Sequence, residues 1–252
     1  MSGWAWEGWA VLCFTALVVG DRAAWHRCPW WMAGATLSWV VGLWPVLDAL
    51  ARHSITLHAV QSVLIHHVAP WCMWRAQVNG PWHRLWQGLG GRPTARSAGW
   101  AWLAFAAMSA LWVWPELHLA LMTNAVFYSG MKWAMALTGL WLCHALTGPS
   151  GACTARPAAH QLGLAMAVPQ VVTGLYLMCS TLLYLMPACV AVDEGWQGEL
   201  LQWVSQWHPL HDQRAGGVLL VAAAVIFYVW DVRRRHPAAE PVAPHFLSER
   251  VL

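Results

Sequence analysis

Residues 52–74 constrain the fold of this chain more than any other stretch. The stretch is apolar and long enough to cross a bilayer as a helix. It nevertheless contains four histidines, a glutamine, a cysteine and a methionine. Such groups are costly in hydrocarbon unless they face a protein interior, so a segment of this kind predicts a functional site.

Long uncharged runs occur throughout the rest of the chain as well. Only 10% of the 252 residues are charged, whereas a soluble domain is about 25% charged. Runs of about 20 apolar residues match the length of a transmembrane helix. The sequence therefore predicts an all-α, polytopic membrane helix bundle with about seven spans, forming a single domain over residues 1–235 before a flexible cytoplasmic tail, 236–252. The predicted spans are residues 5–20, 30–50, 55–76, 99–121, 123–147, 160–187 and 215–232.

The distribution of basic residues predicts the orientation. Cytoplasmic loops carry an excess of Lys and Arg. With the N-terminus outside, eleven of the 14 basic residues fall in cytoplasmic segments and only Arg52 and Arg214 fall outside. This bias requires an odd number of spans, so we expect the C-terminus in the cytoplasm.

The predicted topology brings a set of polar residues to the outer side of the membrane. Neutral imidazole is the commonest protein metal ligand and suits copper, zinc, iron and nickel. Because the chain has no catalytic motif, we interpret this set as a metal site with His58 as the central ligand and His53, His208 and His211 as further ligands. The alternative is a group of hydrogen-bonded interfacial side chains. The members of the set are Asp48, His53, His58, Glu116, His118, Asn124, Tyr128, His208, His211 and Asp212.

A second group of potential ligands is predicted deeper in the membrane or toward the cytoplasm. His66 follows His58 by eight residues, which places it about 12 Å further along a helix and turned by about 80°, so the two are not expected to share one ion. Soft sulfur ligands favour Cu(I), so a relay between two levels is one hypothesis, and simple packing is the other. This group comprises His66, His67, Cys72, Met73, Cys143 and His144.

Lys132 is the only lysine and lies in the middle of the fifth predicted span. A charge at that depth needs a partner, a water-filled space or a lowered pKa, so Lys132 is also a candidate functional residue.

Several motifs resemble those of the CtaG-type cytochrome c oxidase assembly factors, a family of seven-span membrane proteins. The resemblance extends from about residue 35 to 230. Within it, residues 169–187 resemble the sixth span of the family. The motifs that carry it are Leu47-Asp48-Ala49-Leu50, Leu57-His58-Ala59-Val60-Gln61, Val68-Ala69-Pro70 and Pro209-Leu210-His211-Asp212-Gln213-Arg214-Ala215-Gly216-Gly217.

The chain departs from the family pattern at several ligand-type positions. In the third span, the position of the family's second histidine is occupied here by Ser62. The position of the methionine that follows the family's first histidine is occupied by Ala59. The family's His-x-x-Glu-His pattern in the fifth span falls on Tyr128, Met131 and Lys132. The residues that carry over directly are Asp48, His58, Gln61, Asp212 and Gln213.

The resemblance implies a multi-pass protein of the bacterial inner membrane that delivers copper, as Cu(I), to the haem–copper centre of the oxidase and is not an enzyme. In that role Asp48, Gln61 and Asp212 would orient the ligands. Its partners would be the oxidase catalytic subunit or other respiratory membrane subunits and the lipid bilayer, with no nucleic acid. One alternative is a resident oxidase or supercomplex subunit whose copper site has lapsed. Another is a haem-b electron carrier ligated through His66 and His144.

Overall fold

The fold is known from a computed structural model. The structure describes residues 3–76, 78, 81, 84, 95–147, 156–184 and 196–233. Every regular element in these residues is helical, which confirms the all-α prediction. The predicted tail, residues 236–252, lies outside the described residues.

The described helices are numbered in chain order. They are α1 (Gly3–Val19), α2 (Arg22–Arg27), α3 (Pro29–Leu43), α4 (Pro45–Ala51), α5 (Ile55–Ser62), a π-helical turn (Val63–Val68), α6 (Ala69–Arg75), α7 (Ala95–Leu111), α8 (Pro115–Thr123), α9 (Ala125–Thr147), α10 (Arg156–Cys179), α11 (Trp196–Ser205) and α12 (Pro209–Arg233).

Helix length and composition identify the chain as a membrane protein. Two helical segments, Leu162–Cys179 in α10 and Pro209–Trp230 in α12, are long and apolar enough to cross a bilayer. The pairs α3 with α4 and α7 with α8 raise this number to four if each pair is one span. The seven-span topology and its orientation remain predictions.

Two predicted spans are broken near their C-terminal ends. α3 and α4 meet at an angle of 58°, and α7 and α8 meet at 78°. Each second helix begins with a proline, Pro45 or Pro115, that follows an extended tryptophan, Trp44 or Trp114. Proline disfavours helical backbone in the residue before it, which explains the extended backbone of Trp44 and Trp114 at the two breaks.

The segment that the sequence singles out forms one continuous helical rod at the centre of the fold. We call residues 55–75 the histidine helix; it consists of α5, the π-helical turn and α6. α5 packs against α4 and α12, whereas the π-helical turn and α6 pack against α3 and α9. The histidine helix is therefore surrounded by protein along its length.

Glycines allow the closest helix contacts. A Cβ on Gly217 of α12 would lie 2.6 Å from the carbonyl oxygen of Gly174 on α10, and the reciprocal distance is 2.7 Å. A Cβ on Gly139 of α9 would lie 2.9 Å from the carbonyl oxygen of His66. The first two glycines allow α10 to pack closely against α12, and the third allows α9 to pack closely against the histidine helix.

Candidate functional site

A buried chain of hydrogen bonds links α4, α5 and α9, with Gln61 at its centre. The Gln61 side-chain nitrogen, Nε2, lies 2.8 Å from the carbonyl oxygen of Gly42 and 2.5 Å from Oδ1 of Asp48. A backbone carbonyl only accepts hydrogen bonds, so the contact with Gly42 fixes which end of the Gln61 amide is the donor. The Gln61 oxygen, Oε1, is then an acceptor and faces Tyr128 on α9.

This orientation determines the direction of the next two hydrogen bonds. The Tyr128 hydroxyl lies 2.5 Å from Gln61 Oε1 and must donate its single hydrogen to it. The same hydroxyl lies 2.8 Å from Nδ1 of His58, so Nδ1 must carry a hydrogen and donate it to Tyr128. Three fixed hydrogen bonds therefore select one tautomer of His58.

The selected tautomer leaves the other ring nitrogen of His58 without a hydrogen. Within the described part of the chain, Nε2 of His58 is buried and makes no hydrogen bond. The ring packs against Trp112, with centroids 4.3 Å apart. An isolated imidazolium in such surroundings would be costly, so the ring is neutral and presents a free lone pair. That is the form in which histidine binds metals.

Lys132 occupies the other end of the same network. Its ammonium group contacts Oε1 of Glu7 at 2.6 Å, Oδ2 of Asp48 at 2.5 Å and the carbonyl oxygen of Leu43 at 3.2 Å. The three donors of the ammonium thus have three acceptors. Ser129 donates a further bond to Glu7. The only lysine therefore ties α1, the junction of α3 with α4, and α9 together.

The break between α3 and α4 supplies acceptors to this network. The last carbonyls of a helix have no partner inside it. Here the carbonyls of Gly42 and Leu43 accept from Gln61 and Lys132. Asp48 lies in the first turn of α4, where the helix dipole favours a negative charge.

A second imidazole lies near His58. His118 on α8 is buried, and its Nδ1 lies 2.9 Å from the carbonyl oxygen of Trp112. Its ring packs against Tyr184, with centroids 4.0 Å apart. The sequence places His118 on the outer side, but it gives no reason to prefer it over the other histidines there. What distinguishes His118 from the other outer histidines is a tertiary arrangement, because His118 and His58 both lie near the Trp112 ring.

The other predicted outer ligands are His53, His208 and His211. The rings of His208 and His211 are exposed and 4.7 Å apart, next to the start of α12, and His53 is half-buried in the turn before α5. Among the described residues, no group of three or more His, Cys, Asp or Glu side chains is placed to hold one metal ion. His53, His208 and His211 therefore do not form a site of that size with His58.

Asp212 and Gln213 make structural contacts at helix ends. Asp212 accepts hydrogen bonds from the Ser54 hydroxyl at 2.8 Å and from the backbone N–H groups of Ile55 and Thr56 at 2.7 and 3.2 Å. It therefore caps the start of the histidine helix. Gln213 donates to the carbonyl oxygens of Leu177 and Thr181 and accepts from the N–H of Leu183.

Two members of the deeper group, His66 and His67, contact each other and the same aromatic ring. His66 stacks on Phe105 with centroids 3.8 Å apart, and its Nε2 lies 3.2 Å from the Thr138 hydroxyl. His67 contacts the edge of the same Phe105 ring. Both histidines lie in the π-helical turn, an irregularity that is frequent at functional sites.

The sulfur atoms of this group are also engaged in packing. The Met73 sulfur accepts a hydrogen bond from the Trp39 indole at 3.4 Å, and the Cys143 thiol donates to the carbonyl oxygen of Pro70 at 3.3 Å. Cys72 and His144 are buried.

The helices and the buried polar network define a class of protein, namely a helical membrane protein that encloses neutral imidazoles with free lone pairs. Residues 8–231 match the family of cytochrome c oxidase caa3 assembly factors, Caa3_CtaG. The chain belongs to this family, as its motifs predict. No curated protein and no solved structure matches the chain.

Proposed function

We propose that this chain serves cytochrome c oxidase assembly by binding Cu(I) at His58 and delivering it to the haem–copper centre of the oxidase catalytic subunit. In this role it is a binding and transfer protein rather than an enzyme. It acts from the bacterial inner membrane, where it spans the bilayer several times with its N-terminus outside.

The observation that carries this proposal is the free lone pair on Nε2 of His58. Three hydrogen bonds, from Gln61 to Gly42, from Tyr128 to Gln61 and from His58 to Tyr128, fix the tautomer. Metal-binding histidines usually donate their second ring N–H to a neighbouring group, which orients the ring and raises its basicity. The chain of Tyr128, Gln61 and Asp48 supplies this support.

A complementation experiment tests the proposal. A strain that lacks the gene is supplied with the wild type or with His58→Asn. The asparagine amide nitrogen can take the place of Nδ1 and still donate to Tyr128, but it offers no atom at the position of Nε2. We expect oxidase activity and the copper content of the oxidase to fall together, while its catalytic subunit is still made.

The matched control is His211→Asn, which changes an exposed histidine. Full activity and full copper content are expected for it. Normal copper content of the oxidase in the His58→Asn strain would contradict the role of His58 in delivery.

A second candidate function is that of a resident accessory subunit with a lapsed copper site. It is favoured by Lys132, which occupies a position where the family pattern has a histidine. Its ammonium group is held between two carboxylates. Purification of mature oxidase separates the two functions. A resident subunit remains in stoichiometric amount, whereas an assembly factor is lost.

A further inference from the structure

We propose that His118 is the second ligand of the ion, so that Cu(I) is held between the imidazoles of His58 and His118 as a two-coordinate site. This inference rests on the proposed function and specifies its donor set.

The tautomer of His118 follows from its backbone contact. Nδ1 lies 2.9 Å from the Trp112 carbonyl oxygen, which can only accept, so Nδ1 carries the hydrogen. Nε2 of a neutral His118 is then a free lone pair. Across the described ranges this atom is buried and makes no hydrogen bond, as is true of Nε2 in His58. Two independent sets of hydrogen bonds thus fix the two tautomers, and each tautomer has a buried nitrogen lone pair without a hydrogen-bond partner.

The two rings share a neighbour, the ring of Trp112. The Trp112 ring centroid lies 4.3 Å from that of His58 and 6.3 Å from that of His118. Trp112 belongs to one buried apolar cluster with Ile55, Ala59 and Leu121. The contact with Trp112 therefore places both rings beside an apolar cluster.

The helix break between α7 and α8 explains how His118 reaches this place. The turn at residues 112–114 frees the carbonyls of Trp112 and Val113, which accept from His118 and from the Tyr184 hydroxyl. The second break, between α3 and α4, supplies Gly42 to the network behind His58. Broken helices that offer their ends to a buried site are a recurrent way to build ion sites in membrane proteins.

The donor set determines which metal fits. Zn²⁺ takes three or four protein ligands, and Mg²⁺ and Ca²⁺ require oxygen ligands. Two neutral nitrogen donors in apolar surroundings satisfy neither requirement. Imidazole suits copper, and Cu(I), a d¹⁰ ion of single charge, is stable with two such donors in line. Its lower charge also makes burial less costly than that of a divalent ion.

X-ray absorption spectroscopy of the wild-type protein, purified in detergent and loaded with Cu(I) under reducing conditions, tests the coordination without any variant. We expect one copper per chain with two imidazole scatterers and no sulfur. A spectrum with sulfur or with three or more nitrogen ligands would overturn the proposed donor set.

Competition with a Cu(I) chelator tests the residue itself. His118→Asn keeps a donor for the Trp112 carbonyl and lacks the second nitrogen. We expect its Cu(I) affinity to fall more than about 100-fold, because outer-shell changes alone cost about 10–100-fold. The control His26→Asn changes an exposed histidine of α2 and should leave the affinity unchanged.

The outcomes separate this inference from the proposed function. Wild-type affinity in His118→Asn, with binding lost in His58→Asn, would overturn the role of His118 and leave copper delivery intact. No Cu(I) binding by the wild type would overturn both.

Discussion

The hydroxyl of Tyr128 is the part of the network whose removal has the most specific consequence. Tyr128→Phe keeps the ring and removes two hydrogen bonds, one to Gln61 and one from His58. Each buried polar group left without a partner costs about 1–3 kcal/mol, so we expect the free energy of unfolding to fall by about 2–6 kcal/mol.

The same substitution should weaken metal binding. Without the hydroxyl, nothing favours the tautomer of His58 with its hydrogen on Nδ1, and the metal-bound form leaves that N–H buried and unpaired. We expect a loss of Cu(I) affinity of about 10–100-fold, as for other partners of metal-binding histidines.

The assay is competition with a Cu(I) chelator on the monodisperse fraction of each protein, with unfolding measured in parallel. Tyr176→Phe is the matched control, because the Tyr176 side chain is 43% exposed. Equal Cu(I) affinity in folded Tyr128→Phe and in the wild type would refute the argument that the network sets the ligand state of His58.

Three further substitutions test the architecture, each read as a free energy of unfolding. Lys132→Met should lower it by about 3–5 kcal/mol, because the buried carboxylate of Asp48 and the half-buried one of Glu7 lose their cation. An unaltered value would contradict the ion-pair account. Asp212→Asn should cost about 1–2 kcal/mol at the start of the histidine helix without changing the copper stoichiometry, and loss of copper would show a direct role. Gly217→Ala should lower the free energy of unfolding by about 1–3 kcal/mol, because its methyl group meets α10. Gly130→Ala, with open space around the new methyl group, should raise it by about 1 kcal/mol. A Gly217→Ala protein more stable than Gly130→Ala would contradict the helix contact.

The helices themselves were largely predictable from the sequence. Hydrophobic runs predict helices near α1, α9, α10 and α12, because burial in protein or lipid dominates their composition. The two breaks alter the predicted spans 30–50 and 99–121. Their signal is present in the sequence as Trp44-Pro45 and Trp114-Pro115, since a residue before proline rarely continues a helix.

The site was only partly predictable. His58, Gln61 and Asp48 could be selected because they are polar groups at span ends and match a family motif. Tyr128 gains its role from a hydrogen bond across helices with His58, and His118 from lying beside the same Trp112 ring as His58. No local pattern encodes these contacts. Hydrogen-bond direction was equally inaccessible, because it depends on one backbone carbonyl, that of Gly42.

The buried network also explains why a lysine is tolerated within the helices. Lys132 meets two carboxylates and a helix-end carbonyl, so each of its donors is satisfied. Such a group is costly to leave unpaired and adds little net stability when paired. Its clearest effect is to fix α1, α4 and α9 relative to one another and thereby to hold Asp48 against Gln61.

Copper analysis of the purified protein after Cu(I) loading, with the wild type beside His58→Asn, tests the central claim most directly. The account predicts close to one copper per wild-type chain and almost none in the variant, with both proteins folded. Equal copper in the two proteins, or none in the wild type, would contradict it.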